Sequence, residues 1–387
     1  MPFTGKATFS AGPALPEIAE DVSDIVGIVS PHETPLLDHL GDPRREARST
    51  VHEWIEDALV PNAARIDQPA LADDGATTLL TVDDARPFRP GDLVRVASTP
   101  EVVQVAGVSG QQITVVRGYG GTPTTIIQHG MAVVSLGTPA LEGADAAEPR
   151  FTARVRRRNY TQIFAATVEV SGSMQAARAH GVGDEEDYQR QERLRELLRD
   201  LENTVINGVA PAEDPQGSGT VRRSMNGLRR LITTNRFAPG ADGFPSGAEG
   251  DEERLTEEML NTAMRAVWEQ SSGQLDTILV GGAQKRRINA FAGNRAYTPD
   301  DARYRDMISV YESDFGVCRV ILSRWVPPST VMLLDSSRIE VLPLAGRAFH
   351  YKPLAARGDA VGGQLIGEYT LELRNENAHA VIEGLTS

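Results

Sequence analysis

A chain of 387 residues can bury more than one core, and 40% hydrophobic with 24% charged residues is the make-up of an ordinary soluble globular protein of two or three domains. Its formal charge of −14 argues against a protein that grips nucleic acid, because such binding rests on neutralisation of phosphates by Lys and Arg. No apolar run approaches the roughly 18 residues that a bilayer span needs, and Met1–Ser10 lacks the basic and apolar parts of a secretion signal, so the chain is expected to stay in the cytoplasm where it is made.

Basic residues are unevenly chosen. Lys occurs only at 6, 285 and 352, so 36 of the 39 basic residues are Arg. Arg makes planar bidentate pairs with carboxylates and is favoured at interfaces, although genomic base composition explains the bias equally well. The single cysteine, Cys318, cannot form an internal disulfide and reads as a buried, inert thiol in a strand. Asn159, Tyr160 and Thr161 spell a glycosylation sequon that has no secretion signal to make use of it.

In chain order, Ile18, Val22, Ile25, Val26 and Val29 fall on one face of a helix over Glu17–Val29, which Ser30 and Pro31 stop. Thr34 then reads as an N-cap with Pro35 at the first helical position, followed by Leu36, Leu37 and Leu40 before Gly41. Val51–Leu59 and Phe151–Val170 read as long strands. Between them TTLLTV, DLVRVA, EVVQVAGV, QITVVRGY and MAVVSL, separated by Gly- and Pro-containing turns, predict a small all-β barrel or sandwich of five strands. Pro61–Asp74 and Thr138–Pro149, rich in Ala, Pro and Asp, read as linkers to it.

Asp184 opens the longest helix, with an apolar stripe of Tyr188, Leu194, Leu197, Leu198, Leu201 and Val205, closed by Asn207 and Gly208. After a Gly- and Pro-rich loop comes a helix capped by Thr256, with a Leu255–Leu260 staple and Leu260, Met264, Val267 and Trp268 towards the core. A strand over Asp276–Val280, a helix from Gln284 to Phe291 and a stretch to Asp306 follow. Hairpins are expected around Asp314–Gly316 and Asp335–Arg338. The alternation from Leu365 to Leu373 predicts a half-buried strand, which Asn375, Glu376 and Asn377 break. The sum is an α+β body.

Four stretches carry a resemblance: DIVGIVSPHETPLLDHLG (Asp24–Gly41), VHEWIEDAL (Val51–Leu59), SVYESDFGVCRV (Ser309–Val320) and GQLIGEYTLELRNENAHAVIEGL (Gly363–Leu385). Together, and in this order, they resemble the tailed-phage major capsid proteins with the Hong Kong 97 type of shell fold. The resemblance implies an N-terminal arm over 1–46 and an extended hairpin loop over 47–75 and 139–172, with an all-β domain over 76–138 inserted at its tip. It also implies a peripheral domain with its spine helix over 173–224, an axial domain over 225–335, and C-terminal strands of the peripheral and axial core over 336–387. Arm and hairpin in that family lie on neighbouring subunits. The subunit contacts this reading offers are Ile25, Val29, Leu36, Leu37, Trp54, Arg154, Arg156 and Arg158, the three Arg sharing one face of a strand.

Signs of chemistry are weak. HEWIE at His52–Glu56 lacks the second His of a zinc helix and reads as a strand. Gly281–Gly282 joins a strand to a helix without a phosphate-binding signature, and Asp314–Phe315–Gly316 is a hairpin turn. The expectation is therefore a protein without catalytic, cofactor or metal site. Its partners would be copies of itself in rings of five and six, a portal, separately encoded scaffolding, and double-stranded DNA held by enclosure rather than specific binding. An acidic inner wall would keep that DNA mobile. Two alternatives are an encapsulin-like protein compartment of the same fold and, resting on Gly281 and Gly282 alone, an α/β nucleotide-binding enzyme.

The inserted β domain is expected to clamp neighbours in place of a separate cement protein. Some shells of this fold are welded by bonds between a Lys on the extended hairpin and an Asn on a neighbour, and this chain has no Lys between 6 and 285. Assembled shells should therefore dissociate into single chains on denaturing gels; a ladder of covalent oligomers would contradict the reading.

Overall fold

The computed structural model describes residues 33–387 apart from 58, 71–74, 141, 144, 146–148, 150, 153, 177–183, 248–249, 293–309 and 356–357. The Glu17–Val29 helix and the stretch towards Asp306 from 293 onward lie outside the described residues. The chain divides into two compact units, Ile55–Arg156 and a body made of the segment up to Trp54 with Arg157–Ser387.

After helix α1 (Pro35–Leu40) and strand β1 (Val51–Glu56) come β2 (Ala63–Arg65), β3 (Leu79–Thr81), β4 (Leu93–Val96), β5 (Val102–Ser109), β6 (Gln112–Val116), β7 (Ala132–Gly137) and β8 (Val155–Tyr160). β1 pairs with β8 in a two-stranded ribbon, and β2–β7 form a six-stranded sheet in the order β2-β7-β4-β5-β6-β3. An antiparallel bridge between Ile66 and Val82, just beyond β2 and β3, joins the outer strands into a barrel-like ring. Alternate residues point inward: Leu80, Val94, Val96, Val103, Val105, Ile113, Val115 and Val133 form a core of their own.

The five predicted strands are present, and a sixth is not where the sequence suggested. β2 lies in the segment read as a linker. Ala-Ala-Arg carries no periodic signal, and the strand exists because β7 pairs with it while Ala64 and Ile66 fill the barrel core. Inside the same unit Arg117 and Glu101, both buried, form an ion pair at 2.5 Å, and Glu101 also accepts the Thr125 N–H at 2.8 Å.

The body continues with β9 (Gln162–Ser171), α2 (Gly172–Ala176), α3 (Glu185–Asn207), α4 (Leu228–Leu231), β10 (Arg236–Phe237), α5 (Glu257–Gln270), β11 (Thr277–Val280) and α6 (Gly282–Ala292). The remaining strands are β12 (Val310–Ser313), β13 (Gly316–Leu322), β14 (Val331–Leu334), β15 (Ile339–Pro343), β16 (His350–Pro353), β17 (Ala360–Leu373) and β18 (Ala380–Ile382). One sheet of six has the order β10-β18-β14-β11-β13-β12, with β11 parallel to β13 and antiparallel to β14. Its central strands read TILV and VMLL because both faces are covered. Ile278, Val280, Val331 and Leu333 meet α5, whereas Leu279, Met332 and Leu334 meet α3.

The second sheet is built on the fourteen-residue β17, which takes β9 along one edge and β15 followed by β16 along the other. Here the expectation of a half-buried strand fails. Leu365, Leu371 and Leu373 face the core, but Glu368, Thr370 and Glu372 on the opposite face are buried as well. The predicted strand over Phe151–Val170 is also two strands, broken at Thr161: β8 belongs to the ribbon and β9 to this sheet. Asn159 is fully buried with its amide donating to the carbonyls of Asn226 and Leu371, both at 2.9 Å, so the sequon is sealed.

Helix boundaries follow their caps. Asp184 accepts from the Glu186 N–H at 2.9 Å, and Thr256 accepts from the Met259 N–H at 3.3 Å with Leu255 and Leu260 both buried. At the end of α3 only glycine fits: the Gly227 N–H donates to the Gly208 carbonyl at 2.8 Å, and a Cβ on Gly227 would lie 2.6 Å from the Gly208 nitrogen. Two expectations are corrected. Trp268 does not line the core but is 64% exposed, and Asp335–Arg338 is not a hairpin but a short 3-10 passage from the first sheet to the second.

Candidate assembly surfaces

α1 is too short to be stable alone, and it is held by a buried carboxyl group. Thr34 occupies the N-cap position but its hydroxyl turns to Asp38 at 3.4 Å instead of capping. The free N–H groups of Leu36 and Leu37 donate to the two oxygens of Glu202 at 3.1 and 2.9 Å, and Ser323 donates to the same carboxylate at 3.3 Å. Glu202 projects from α3 and is fully buried. Burial pushes its pKa up, only partly opposed by the two N–H bonds. Around this socket Trp325 donates to the Glu33 carbonyl at 3.4 Å, and His39 meets Thr277 at 2.9 Å.

This docking relocates two of the proposed contact residues. Leu36 is fully buried in the core of its own chain, beside the cluster containing Leu201, Val205 and Leu334, and Leu37 is half-buried against the same cluster. Both pack against the body of their own chain. Ile25 and Val29 lie outside the described residues.

The segment leading into β1 is anchored on β15 and β17. Ala47 bridges to Leu344, its N–H donating to Pro343 at 2.8 Å. Arg45 spans Glu340 and Glu372 at 2.5 and 3.0 Å, and His52 meets Glu372 at 2.6 Å. Burial pushes the Glu372 carboxyl up, but the bonds from His52 and Arg45 outweigh this and hold it below the usual range. Trp54, also a proposed contact, is buried beside His52, with ring centroids 6.0 Å apart.

Beyond Trp54 the cover ends. Ile55 is 65% exposed, Leu59 89%, Phe151 90% and Val155 50%. Arg154, Arg156 and Arg158 are all exposed, with Arg154 3.9 Å from Asp57. Arg157 between them is exposed too, so β8 is solvent-exposed on both faces from Val155 to Arg158. The sequence places Leu59 and Phe151 at strand ends and marks neither as a contact. Alternation identifies a buried face, and it carries no signal for an apolar residue whose cover comes from outside the chain.

The three motifs weighed for chemistry have structural settings among the described residues. His52 lies on a strand bound to Glu372, Gly281 makes a tight turn where a Cβ would lie 3.1 Å from the Val326 carbonyl, and Phe315 sits in the β12–β13 hairpin. Cys318 is buried, its thiol pushed up to about 12 by burial. Among the described residues no group of three or more His, Cys, Asp or Glu side chains could hold a metal ion.

The sequence profile of the family described as SU10 major capsid protein matches residues 2–386. The major capsid protein of Pseudomonas phage PaMx41 is 21% identical over 368 residues, covering 88% of this chain and 85% of that one. Among solved structures, the capsid of a native GTA particle computed with C5 symmetry superposes with a TM-score of 0.53 at 11% identity, covering 99% of this chain and 100% of that one. A chain of Microbacterium phage Oxtober96 gives 0.50 at 15% identity, covering 96% and 97%. At such identities these likenesses establish the fold.

The Glu202 socket makes a signed prediction. Its folded pKa lies above the unfolded value, so ionising it opposes folding: its contribution is most favourable below about pH 4.3 and is lost as pH rises through the raised pKa. In denaturant titrations of the unassembled chain, wild type should lose stability relative to Glu202→Gln on going from pH 4 to pH 7. A difference that does not change with pH would contradict the socket.

Proposed function

The chain belongs to the SU10 major capsid protein family, and from that premise we propose that the exposed end of its β1–β8 ribbon is the element through which copies overlap to close an icosahedral head around double-stranded DNA. It is a phage major capsid protein with the Hong Kong 97 type of fold. The observation that carries the proposal is the pairing of a fixed base with an uncovered tip. Arg45, Ala47 and His52 lock the entry to the ribbon, and Ile55, Leu59, Phe151 and Val155 then stand in solvent.

In this reading the subunits form rings of five and six in the host cytoplasm, with a portal at one vertex and scaffolding during assembly. Residues 1–46 act as the arm and α3 as the spine of a peripheral domain, and the sheet containing β11 forms the axial domain. DNA is enclosed without specific contacts, and no catalytic step is involved. Many modest contacts on a closed lattice multiply into a durable container.

Electron microscopy of the purified, overexpressed chain tests the proposal. Closed particles or rings are expected from wild type, and monomers of unchanged circular dichroism from the double variant Leu59→Ser and Phe151→Ser. Assembly of that variant as efficient as wild type would sink the role given to the ribbon.

The barrel-like unit is proposed to clamp neighbouring copies. Because β2 is one of its strands, a deletion that respects the fold removes Pro61–Pro139 and not merely the region after Ala76. Shells of the shortened chain should open at lower temperature. Identical thermal release of contents would remove the clamp from the account.

A further inference from the structure

Two short segments carry the chain between the two sheets of the body, Asp335–Arg338 from β14 to β15 and Arg374–His379 from β17 to β18. The crossings lie side by side. The Arg374 N–H donates to the Arg338 carbonyl at 2.9 Å, the Arg374 guanidinium to the Ser337 carbonyl at 3.2 Å, and the Asp335 N–H to His379 Nδ1 at 3.2 Å. Leu334, Ile339, Leu373 and Ala380 are buried at the four ends, but the centre of the joint is polar.

Asp335 accepts from Ser337 Oγ at 2.5 Å, from Arg338 Nε at 2.9 Å and from the Gln274 N–H at 3.1 Å. Glu376 accepts from the N–H groups of Thr233 and Thr234 at 2.9 and 3.0 Å, and the Asn235 amide donates to the carbonyls of Asn377 and His379 at 2.8 and 3.1 Å. In the midst of this network His379 is fully buried, and its Nε2 meets no partner in hydrogen-bonding geometry. Such an imidazole is neutral, with the proton on Nε2 and the lone pair of Nδ1 accepting from Asp335.

We propose that the paired crossings form an acid-sensitive joint: a proton on His379 turns Nδ1 from acceptor into donor, sets it against the Asp335 N–H, and frees the six-stranded sheet to shift against the four-stranded one. The inference concerns the folded chain and stands independently of how copies assemble.

Burial lowers the His379 pKa to about 4, with Arg338 acting the same way and Asp335 and Glu376 opposing. In an opened joint the imidazole returns to its ordinary value near 6.5. The closed form is therefore fully favoured above pH 6.5 and loses ground as pH falls towards 4; the opening equilibrium rises about thirtyfold between pH 8 and pH 5. The two carboxylates do not blur this window. Burial pushes Asp335 and Glu376 up, yet their hydrogen bonds hold both below the ordinary carboxylate range, so they titrate only at lower pH.

Hydrogen exchange on the full chain, corrected for the intrinsic effect of pH, tests the joint. Peptides covering 335–338 and 374–380 should exchange about thirtyfold faster at pH 5 than at pH 8. In His379→Asn, which keeps an acceptor but cannot be protonated, the acceleration should vanish. The same acceleration in the variant, or one spread equally over α5 and β11, overturns the proposal. If the variant does not fold, C2-proton exchange of the histidines in wild type decides: half-exchange of His379 near pH 4 supports the joint, and a value at or above 6.5 overturns it.

Discussion

A strand with glutamates on one face can be buried on both faces only if cations are brought to it, and β17 is the strand on which this body is assembled. Glu368 sits 2.6 Å from Arg223 and 2.7 Å from Arg347, and accepts from the Thr161 hydroxyl at 2.6 Å. Glu372 is matched by Arg45, His52 and, at 3.3 Å, Arg374. These partners come from the segment before β1, from β1 itself, from the loop after α3, from the turn before β16 and from the residue that follows β17. A buried carboxylate left without them would be strongly unfavourable, so one charged face fixes distant pieces of chain in a single arrangement. Specificity of position, more than net stability, is what such pairs supply. The abundance of Arg over Lys suits this use, because a planar fork satisfies two acceptors at once.

That constraint has a direct consequence for assembly. The base of the β1–β8 ribbon is held by Arg45, Ala47 and His52, while the residues that follow have no apolar cover of their own. Glu202 does for α1 what Glu372 does for β1. It satisfies two backbone donors that a six-residue helix cannot satisfy alone and so fixes where α1 lies on the body. Both elements are thus launched from defined points, which lowers the ordering entropy that contacts with another copy must overcome.

Much of this architecture was legible in the sequence, and the failures share a cause. α3 and α5 were readable because their caps and apolar stripes are local signals: Asp184, Thr256, and residues spaced by three and four. The strands of the barrel were readable from alternation between turns. What was missed depends on partners distant in sequence. β2 is a strand only because β7 is beside it, Leu36 is core only because Glu202 waits 166 residues away, and the Glu368–Glu372 face looks solvated until Arg45, Arg223 and Arg347 are placed on it. Trp268 misled in the other direction: an aromatic at a core-compatible spacing turned out exposed, beside Phe315 at 6.0 Å between ring centroids. The shell family was visible in short stretches spread along the chain, whereas the exposure of Leu59 and Phe151 was not, since an uncovered apolar side chain and a covered one leave the same letter.

The central claim is that the apolar tip of the ribbon acquires in the shell the cover it lacks in a single chain. Hydroxyl-radical footprinting of Ile55, Leu59, Phe151 and Val155, read by mass spectrometry in unassembled subunits and in closed shells, addresses it directly. The account predicts that all four are oxidised readily in the subunit and protected several-fold in the shell, while exposed residues of the β barrel such as Val108 change less. Equal oxidation of the four in both states would contradict it.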